Sequence, residues 1–223
     1  MLSALRMYAL LLCAVAAGTA QPPQATPPAP DAAKKANARP AAEPAAPLEP
    51  FDKATAAQMS AQCVRLETEA GAVEIEMLAE AAPETVRNFL NLVATGAYDT
   101  TTFNRVVRGF VIQGGDFSTR ERLTPKLARR ARRAIADEPN PVKHVRGVVS
   151  MARTDQPHSA TTSFFILVGD GSHLDGTFSA FGRVRSGMEA VDQINQAPAE
   201  NEKPSKPVRL TRASVAPCPA EIK

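Results

Sequence analysis

The stretch between residues 103 and 116 constrains the fold of this chain more than any other. It holds two short apolar runs rich in β-branched residues, separated by Gly109 and followed by a Gly-Gly-Asp turn signal. This pattern predicts a bent strand or a pair of strands in an antiparallel sheet. Because side chains alternate between the two faces of a strand, Phe103, Arg105 and Val107 are expected on one face. Arginine is almost never buried without a partner, so an arginine between two apolar neighbours is unusual.

Beyond Gly109 the same alternation places Val111 and Gln113 side by side, with Phe110 next to them. A cation, an aromatic ring and an amide on one β scaffold make a candidate pocket with polar and apolar walls. Taken singly, Phe110 would more often be a core residue, and Arg105 would more often form an ion pair. Only their joint spacing favours a binding site.

The same stretch resembles the signature of the cyclophilin-type peptidyl-prolyl cis-trans isomerases. Two further blocks follow in the family's order. The second lies at residues 150–153 and 159–166, and the third at 174–176 and 181–184. Three ordered blocks with family-like spacing are more specific than one motif, and the resemblance covers roughly residues 62 to 216.

The remainder of this region shows the alternation and turns of many short strands. A hairpin with one polar face is predicted between residues 64 and 77, helices begin at Pro83 and Met188, and a final strand covers 208–215. Many short strands with two helices favour an antiparallel barrel. The resemblance implies more: a mainly β fold, formed by a closed eight-stranded antiparallel β-barrel capped by two α-helices.

Composition divides the chain into three parts. With 223 residues it can hold one domain of ordinary size plus tails. Residues 1–20 contain Arg6, a short apolar run and small residues before Gln21, which is typical of a secretory signal peptide. Residues 21–58 are dominated by Pro and Ala and are expected to form a disordered, PPII-rich linker. Residues 59–219 remain as the isomerase-like domain.

This organisation predicts a periplasmic or secreted protein with a cleaved signal peptide and no stable membrane insertion, because the apolar run is too short for a transmembrane helix. Lipid attachment at Cys13 is the less favoured alternative. Export would leave Cys63 and Cys218 as an even pair in an oxidising compartment. A disulfide between them is reasonable if the first and last strands of a barrel are neighbours. Two free thiols are the alternative.

Residues 118–133 form a basic insert with seven Lys and Arg residues and one Glu. One interpretation is attraction to an acidic partner, and the other is a solvated loop or short exposed helix. The net charge of the whole chain is only +3. That charge does not by itself indicate nucleic-acid binding, and we expect no nucleic-acid partner.

The chemistry that the resemblance implies has a clear physical requirement. An X-Pro bond prefers trans by only about 0.5–1 kcal/mol, yet amide resonance imposes a barrier of about 18–20 kcal/mol. In the twisted state resonance is lost, and the prolyl nitrogen becomes a good hydrogen-bond acceptor. A guanidinium beside that nitrogen would stabilise the twisted state selectively. The resemblance carries the family's catalytic arginine onto Arg105. This assignment would be lost if the guanidinium were locked to a carboxylate, or if it were turned away from any cleft that could admit a prolyl ring.

The resemblance also implies which residues contact the substrate. It carries the proline pocket onto Phe110, Val111, Phe165 and Leu174, and a substrate-orienting amide onto Gln113. Ala152 and Arg153 correspond to positions that bind the residues before proline through the backbone. Ser163, His173 and Phe178 complete the predicted pocket.

Four positions depart from the family's pattern. Asn104 stands where a His is frequent, Ser163 replaces the usual Gln, His173 occupies a site that is often Trp or Phe, and Phe178 replaces a common His. Loss of the Trp should weaken binding of cyclosporin-type inhibitors. The shorter Ser163 removes a substrate contact, which affects the turnover rate more than the mechanism.

We expect neither a metal nor a cofactor, because the three His residues are scattered and no zinc, P-loop or nucleophile-elbow spacing is present. The expected partners are proline-containing unfolded or extended polypeptides, and the expected state is a monomer. Since a guanidinium does not titrate near neutrality, activity should be nearly flat across roughly pH 6–8. Two alternatives stay open: a non-catalytic proline-peptide-binding or chaperone module on the same barrel, and a surface adaptor that uses the basic insert.

Overall fold

A computed structural model describes residues 47–219. The predicted signal peptide, the first part of the predicted linker and Cys13 lie outside the described residues. Within 47–219, no helix is long and apolar enough to cross a membrane.

Eight strands form one sheet in which every neighbouring pair is antiparallel, in the order β10-β1-β2-β7-β5-β6-β4-β3. The strands are β1 Gln62–Thr68, β2 Gly71–Met77, β3 Arg105–Val107, β4 Val111–Gly114, β5 Val148–Met151, β6 Phe164–Leu167, β7 Ala180–Ser186 and β10 Leu210–Pro217. Two short strands, β8 Ala199–Glu200 and β9 Lys203–Pro204, form a separate hairpin. The mainly β architecture and the number of strands in the main sheet agree with the sequence-based expectation.

Closure of the sheet into a barrel is only partly supported by hydrogen bonding. The two edge strands, β3 and β10, are not paired with each other in the described part of the chain. The segment just before β3 approaches the start of β10 instead, through an isolated bridge between Thr102 and Arg209 and a hydrogen bond from Phe103 N to Val208 O. The structure therefore shows a strongly curled sheet, and full closure stays a prediction.

Four α-helices are present in the described residues, which is two more than predicted. They are α1 Ala56–Ser60, α2 Pro83–Ala94, α3 Pro125–Arg130 and α4 Met188–Asn195. The two longer helices are those predicted from apolar spacing. Helix α2 buries Val86, Phe89 and Leu90, and α4 buries Val191 and Ile194. Helix α2 packs against β10 and β7, and α4 packs against β2, β3 and β4.

The folded region begins earlier than the predicted boundary at residue 59. Residues 47–61 form a strap that lies along α2. Arg87 donates to the backbone oxygens of Phe51 and Ala54, and Glu49 accepts two hydrogen bonds from Arg130 at 2.8 and 3.0 Å. The end of the predicted linker is thus ordered. Met59 is fully buried and Phe51 packs against the hydrophobic core, and the strap also supplies acceptors for partly buried arginines.

The basic insert contains the short exposed helix α3, which was one of its two interpretations. Two of its arginines are used inside the fold. Arg130 binds Glu49 and Asn88, and Arg120 donates to the carbonyl oxygens of Gly96 and Ala97. The remaining basic side chains of the insert make a solvated surface.

Cys63 and Cys218 form a disulfide in the structure. They meet because β1 and β10 are neighbours, with Cys63 opposite Ala216 and the amide of Cys218 bonded to Ala61 O. The bond joins β1 to the residue that follows β10.

Two apolar clusters occupy opposite faces of the sheet. The larger is the main core between the sheet and α2, and it includes Val106, Ile112, Phe164 and Ile166. The smaller contains Val111, Phe165 and Leu167 together with partly buried neighbours. Consequently β5 and β6 are buried on both faces, and the outer face of these strands holds a second apolar surface.

Candidate active site

The hairpin β3–β4 places Arg105 in a row of side chains that crosses the sheet. Arg105 is opposite Gln113, Gln113 is opposite Phe165, and Phe165 is opposite Ser150. Directly opposed residues point to the same face, so cation, amide and aromatic ring are neighbours by register alone. The row lies on the outer face, away from the main core.

One expectation about this stretch is wrong. Phe103 does not share a face with Arg105 and Val107. It lies before β3 begins, is 1% exposed, and packs in the main core against Phe164. The strict alternation fails because the chain is not yet in a regular strand at residues 103 and 104. Arg105 therefore has an amide and an acid as partners, not two apolar neighbours.

The turn of the hairpin is hydrogen-bonded to a side chain of helix α4. Gly109 has a positive φ of 73°, and its N–H donates to Asn195 Oδ1 at 2.8 Å. The amide of Asn195 in turn donates to the carbonyl oxygens of Val107 and Val111. Asn195 is 5% exposed. Sequence reasoning missed it, although a polar residue on the apolar side of a predicted helix was a usable signal.

Most of the predicted pocket residues meet in the smaller apolar cluster. Those brought together there are Phe110, Val111, Ala152, Phe165, Leu174 and Phe178. The rings of Phe165 and Phe178 are 5.9 Å apart, edge to face, and Phe110 stacks on His173 at 5.1 Å. The cluster is half open, since Val111 and Phe165 are buried whereas His173 is exposed. A surface of this kind can receive a small apolar ring.

The other predicted positions line the rim of the cluster. Ala152 N donates to Ser163 O, so these two residues are tied to each other. The guanidinium of Arg153 lies over the Phe178 ring at 4.8 Å and pairs with Asp137 at 3.4 Å. Its side chain is 13% exposed and lies beside Phe178 at the edge of the cluster.

The segment that carries His173 and Leu174 is fixed to the sheet by a buried histidine. Asp175 accepts hydrogen bonds from the backbone N–H of His144 at 2.8 Å and from its Nδ1 at 3.2 Å, while His144 Nε2 lies 3.2 Å from Ser150 Oγ. The backbone hydrogen bond from His144, followed by the contact with Lys143, lowers the pKa of Asp175 to about 2. Burial lowers the pKa of His144, against the opposing effect of Asp175.

Arg105 is held by two groups. Its Nε donates to Glu202 Oε2 at 2.7 Å, and its Nη1 donates to Gln113 Oε1 at 3.2 Å. Glu202 lies on the β8–β9 hairpin, 97 residues away along the chain, and no local pattern pointed to it. The pair is exposed, with 43% and 49% of the two side chains accessible. The ion-pair role that sequence left open for Arg105 is therefore real in this structure.

Nevertheless the guanidinium is not fully used. The two N–H groups on its Nη2 have no hydrogen-bond partner among residues 47–219. An exposed ion pair contributes only about 0–1 kcal/mol, and Arg105 stays in the row with Gln113 and Phe165. The arrangement can thus present charged donors beside an apolar surface.

These features define a class of protein, in which the outer face of a curled antiparallel sheet combines a guanidinium, an amide and an apolar cluster with aromatic members. Residues 63–215 match the family described as "Cyclophilin type peptidyl-prolyl cis-trans isomerase/CLD". The chain belongs to this family of isomerases.

Individual relatives agree with this result. The chain is 38% identical over 178 residues to peptidyl-prolyl cis-trans isomerase A of Dickeya dadantii, which covers 75% of this chain and 91% of the relative. It is 40% identical over 141 residues to peptidyl-prolyl cis-trans isomerase B of Escherichia coli, covering 59% and 82%.

Solved structures give the same fold. A cyclophilin-type isomerase of Cryptosporidium parvum matches with a TM-score of 0.62 and 28% identity, over 71% of this chain and 99% of that one. A second structure of that protein, solved in the presence of the dipeptide Ala-Pro, matches with a TM-score of 0.61 and 28% identity over 69% and 98%.

Proposed function

We propose that this isomerase accelerates X-Pro isomerisation in unfolded or extended polypeptides, with Arg105 as the catalytic residue. The observation that carries the proposal is the cross-strand row of Arg105, Gln113 and Phe165, which continues into the smaller apolar cluster. A prolyl ring seated on Phe165 would bring its imide nitrogen towards the guanidinium. The Cryptosporidium parvum structure solved with Ala-Pro supports a proline-containing substrate.

The contacts of each residue suggest its role in the reaction. Nη2 of Arg105 would donate to the prolyl nitrogen only once the bond is twisted, because in the planar state that nitrogen is a poor acceptor. An interaction present only in the transition state raises the rate and not merely the affinity. Gln113 would fix the guanidinium and orient the substrate. Ala152 and Arg153 would contact the residues before proline through their backbone.

The apolar walls would select the ring. Phe110, Phe165 and Leu174 present an aromatic and aliphatic surface, and Phe178 closes it on the side of Arg153. Removal of the prolyl ring from water favours binding by about 25 cal/mol for each Å² of apolar surface buried. No proton transfer or covalent step is needed.

A second candidate function is a proline-peptide-binding or chaperone module without efficient turnover. The observation that favours it is the ion pair between Arg105 and Glu202, because a paired guanidinium exerts a weaker positive field on a substrate. The two functions make opposite predictions for Arg105, so one experiment separates them.

The test compares the wild-type protein with Arg105→Ala in a prolyl isomerisation assay and in peptide binding. Arg108→Ala is the matched control, since Arg108 is an exposed arginine on the same hairpin that bonds Gln196 O. If the proposal is right, Arg105→Ala loses about 10²–10³-fold in kcat and keeps its affinity for peptide. Equal isomerisation rates for the wild type and Arg105→Ala, with peptide binding intact, would support the binding module instead.

We also propose that the protein is exported to the periplasm or secreted. The disulfide between Cys63 and Cys218 supports this, because such bonds persist in oxidising compartments. Cell fractionation followed by determination of the mature N-terminus tests it. A mature chain that begins at Gln21 is the expected result, and a chain that keeps its first twenty residues in the cytoplasm would contradict it.

A further inference from the structure

The β8–β9 hairpin has an unusual residue at its turn. Glu200 pairs with Lys203, so Asn201 and Glu202 are the two turn residues, and both have positive φ, of 48° and 65°. Two-residue turns with positive φ at both positions favour Asn followed by Gly. Asn201 suits its position. Glu202 stands where glycine is preferred, and a side chain there is destabilising for the backbone.

Packing does not account for a glutamate at this position. The side chain of Glu202 is 49% exposed. It lines a cavity of about 230 Å³ together with Val106, Val107 and Arg108 of the β3–β4 hairpin and with Ala197 and Ala199. Removal of its side chain would therefore take away no contact in the main core, and an exposed ion pair contributes little to stability.

What Glu202 does provide is a fixed orientation for Arg105. Its carbonyl oxygen accepts from Val106 N at 2.8 Å, so the turn is bonded to the strand residue next to Arg105. Its carboxylate then takes the Nε–H of Arg105 at 2.7 Å, while Gln113 takes an N–H of Nη1 at 3.2 Å. A guanidinium is planar and rigid, so two acceptors at different edges fix its plane.

The two acceptors are bonded to Nε and Nη1 of the guanidinium, and Nη2 is the third nitrogen. Within the described residues, Nη2 has no hydrogen-bond partner. We propose that Glu202 is a positioning residue for the isomerisation: it holds the Nε–H of Arg105 so that the Nη2 N–H on the side away from Nε points to the prolyl nitrogen. A residue that breaks a local backbone preference with no gain in packing is expected at functional sites. This inference rests on the proposed catalytic role of Arg105.

The test uses variants of the full protein, including one that should lower turnover without lowering stability. Glu202→Gly relieves the backbone strain and removes the acceptor, whereas Glu202→Gln keeps an acceptor oxygen without the charge. Glu200→Gln is the matched control, since Glu200 is exposed on the same hairpin and makes no ion pair within residues 47–219. The measurements are kcat, KM and Tm for each variant.

We expect Glu202→Gly to lower kcat about tenfold with KM changed less than twofold, while Tm stays equal or rises. Glu202→Gln should recover most of the lost kcat, and Glu200→Gln should match the wild type. A rise in kcat for Glu202→Gly would overturn the inference, because the contact would then be inhibitory. A fall in Tm together with kcat would overturn it as well, because it would show a structural role.

Arg105→Ala, measured in parallel, distinguishes this inference from the proposed function. If Arg105→Ala is nearly inactive but Glu202→Gly is fully active, only the positioning role fails. If Arg105→Ala is as active as the wild type, the catalytic assignment itself fails. If both roles are right, the double variant Arg105→Ala/Glu202→Gly is no slower than Arg105→Ala alone.

Discussion

The disulfide between Cys63 and Cys218 should stabilise the domain strongly, because it closes almost the whole folded region into one loop. The two cysteines are 155 residues apart in sequence. For a loop of that length, chain entropy predicts about 5 kcal/mol at 25 °C, while typical measured contributions are about 2–4 kcal/mol. Because β1 and β10 already lie side by side, the effect acts mainly on the unfolded chain.

For a domain of this size each kcal/mol shifts Tm by about 2–4 °C. We therefore expect the double variant Cys63→Ala/Cys218→Ala to unfold roughly 5–15 °C below the oxidised wild type. Thermal unfolding followed by circular dichroism measures the shift. Reductant should lower the Tm of the wild type to that of the double variant and leave the variant unchanged.

Equal Tm values for oxidised wild type, reduced wild type and the double variant would refute this reasoning. In that case either the cysteines are not joined in solution, or the unfolded chain is already compact enough that the cross-link removes little entropy. Determination of free thiols in the oxidised protein distinguishes these two explanations.

Three further predictions concern the site and its support. Because burial lowers the pKa of His144, the unfolded chain binds more protons than the native state as the pH falls below about 6.5. The free energy of unfolding should therefore decrease as the pH is lowered from that value. In denaturant titrations, His144→Gln should make this pH dependence weaker. Phe178→Ala should raise KM severalfold with a smaller change in kcat, because it removes a pocket wall and the ring under Arg153, and an unchanged KM would exclude Phe178 from the pocket. Glu49→Gln should lower the free energy of unfolding by about 1–3 kcal/mol in urea titrations, since Arg130 is only 13% exposed, and should leave kcat unchanged.

Local patterns were sufficient to predict two strands on either side of Gly109. With Gly109 at the turn, equal distances along the two arms bring Arg105 opposite Gln113, as the observed register shows. The spacing of apolar residues after Pro83 predicted α2, because a helix on the surface of a domain buries one apolar face. These features depend on neighbours within a few residues, which a sequence displays directly.

The features that sequence did not reveal depend on contacts between distant residues. Glu202 contacts Arg105 from 97 positions away, and Glu49 of the ordered strap contacts Arg130 across 81 positions. Nothing in the local composition of either segment indicates such a partner. The prediction that Phe103 shares a face with Arg105 was wrong for a different reason. Side chains alternate regularly only within a strand, and β3 begins at Arg105.

The central claim is that Arg105 stabilises the twisted X-Pro bond and not the bound peptide. Exchange NMR on an Ala-Pro-containing peptide measures this most directly, because it gives the cis-trans exchange rate of the bound peptide separately from its affinity. We expect Arg105→Ala to bind the peptide as the wild type does but to slow exchange on the enzyme by about 10²–10³-fold. An unchanged exchange rate on Arg105→Ala at equal saturation would contradict it.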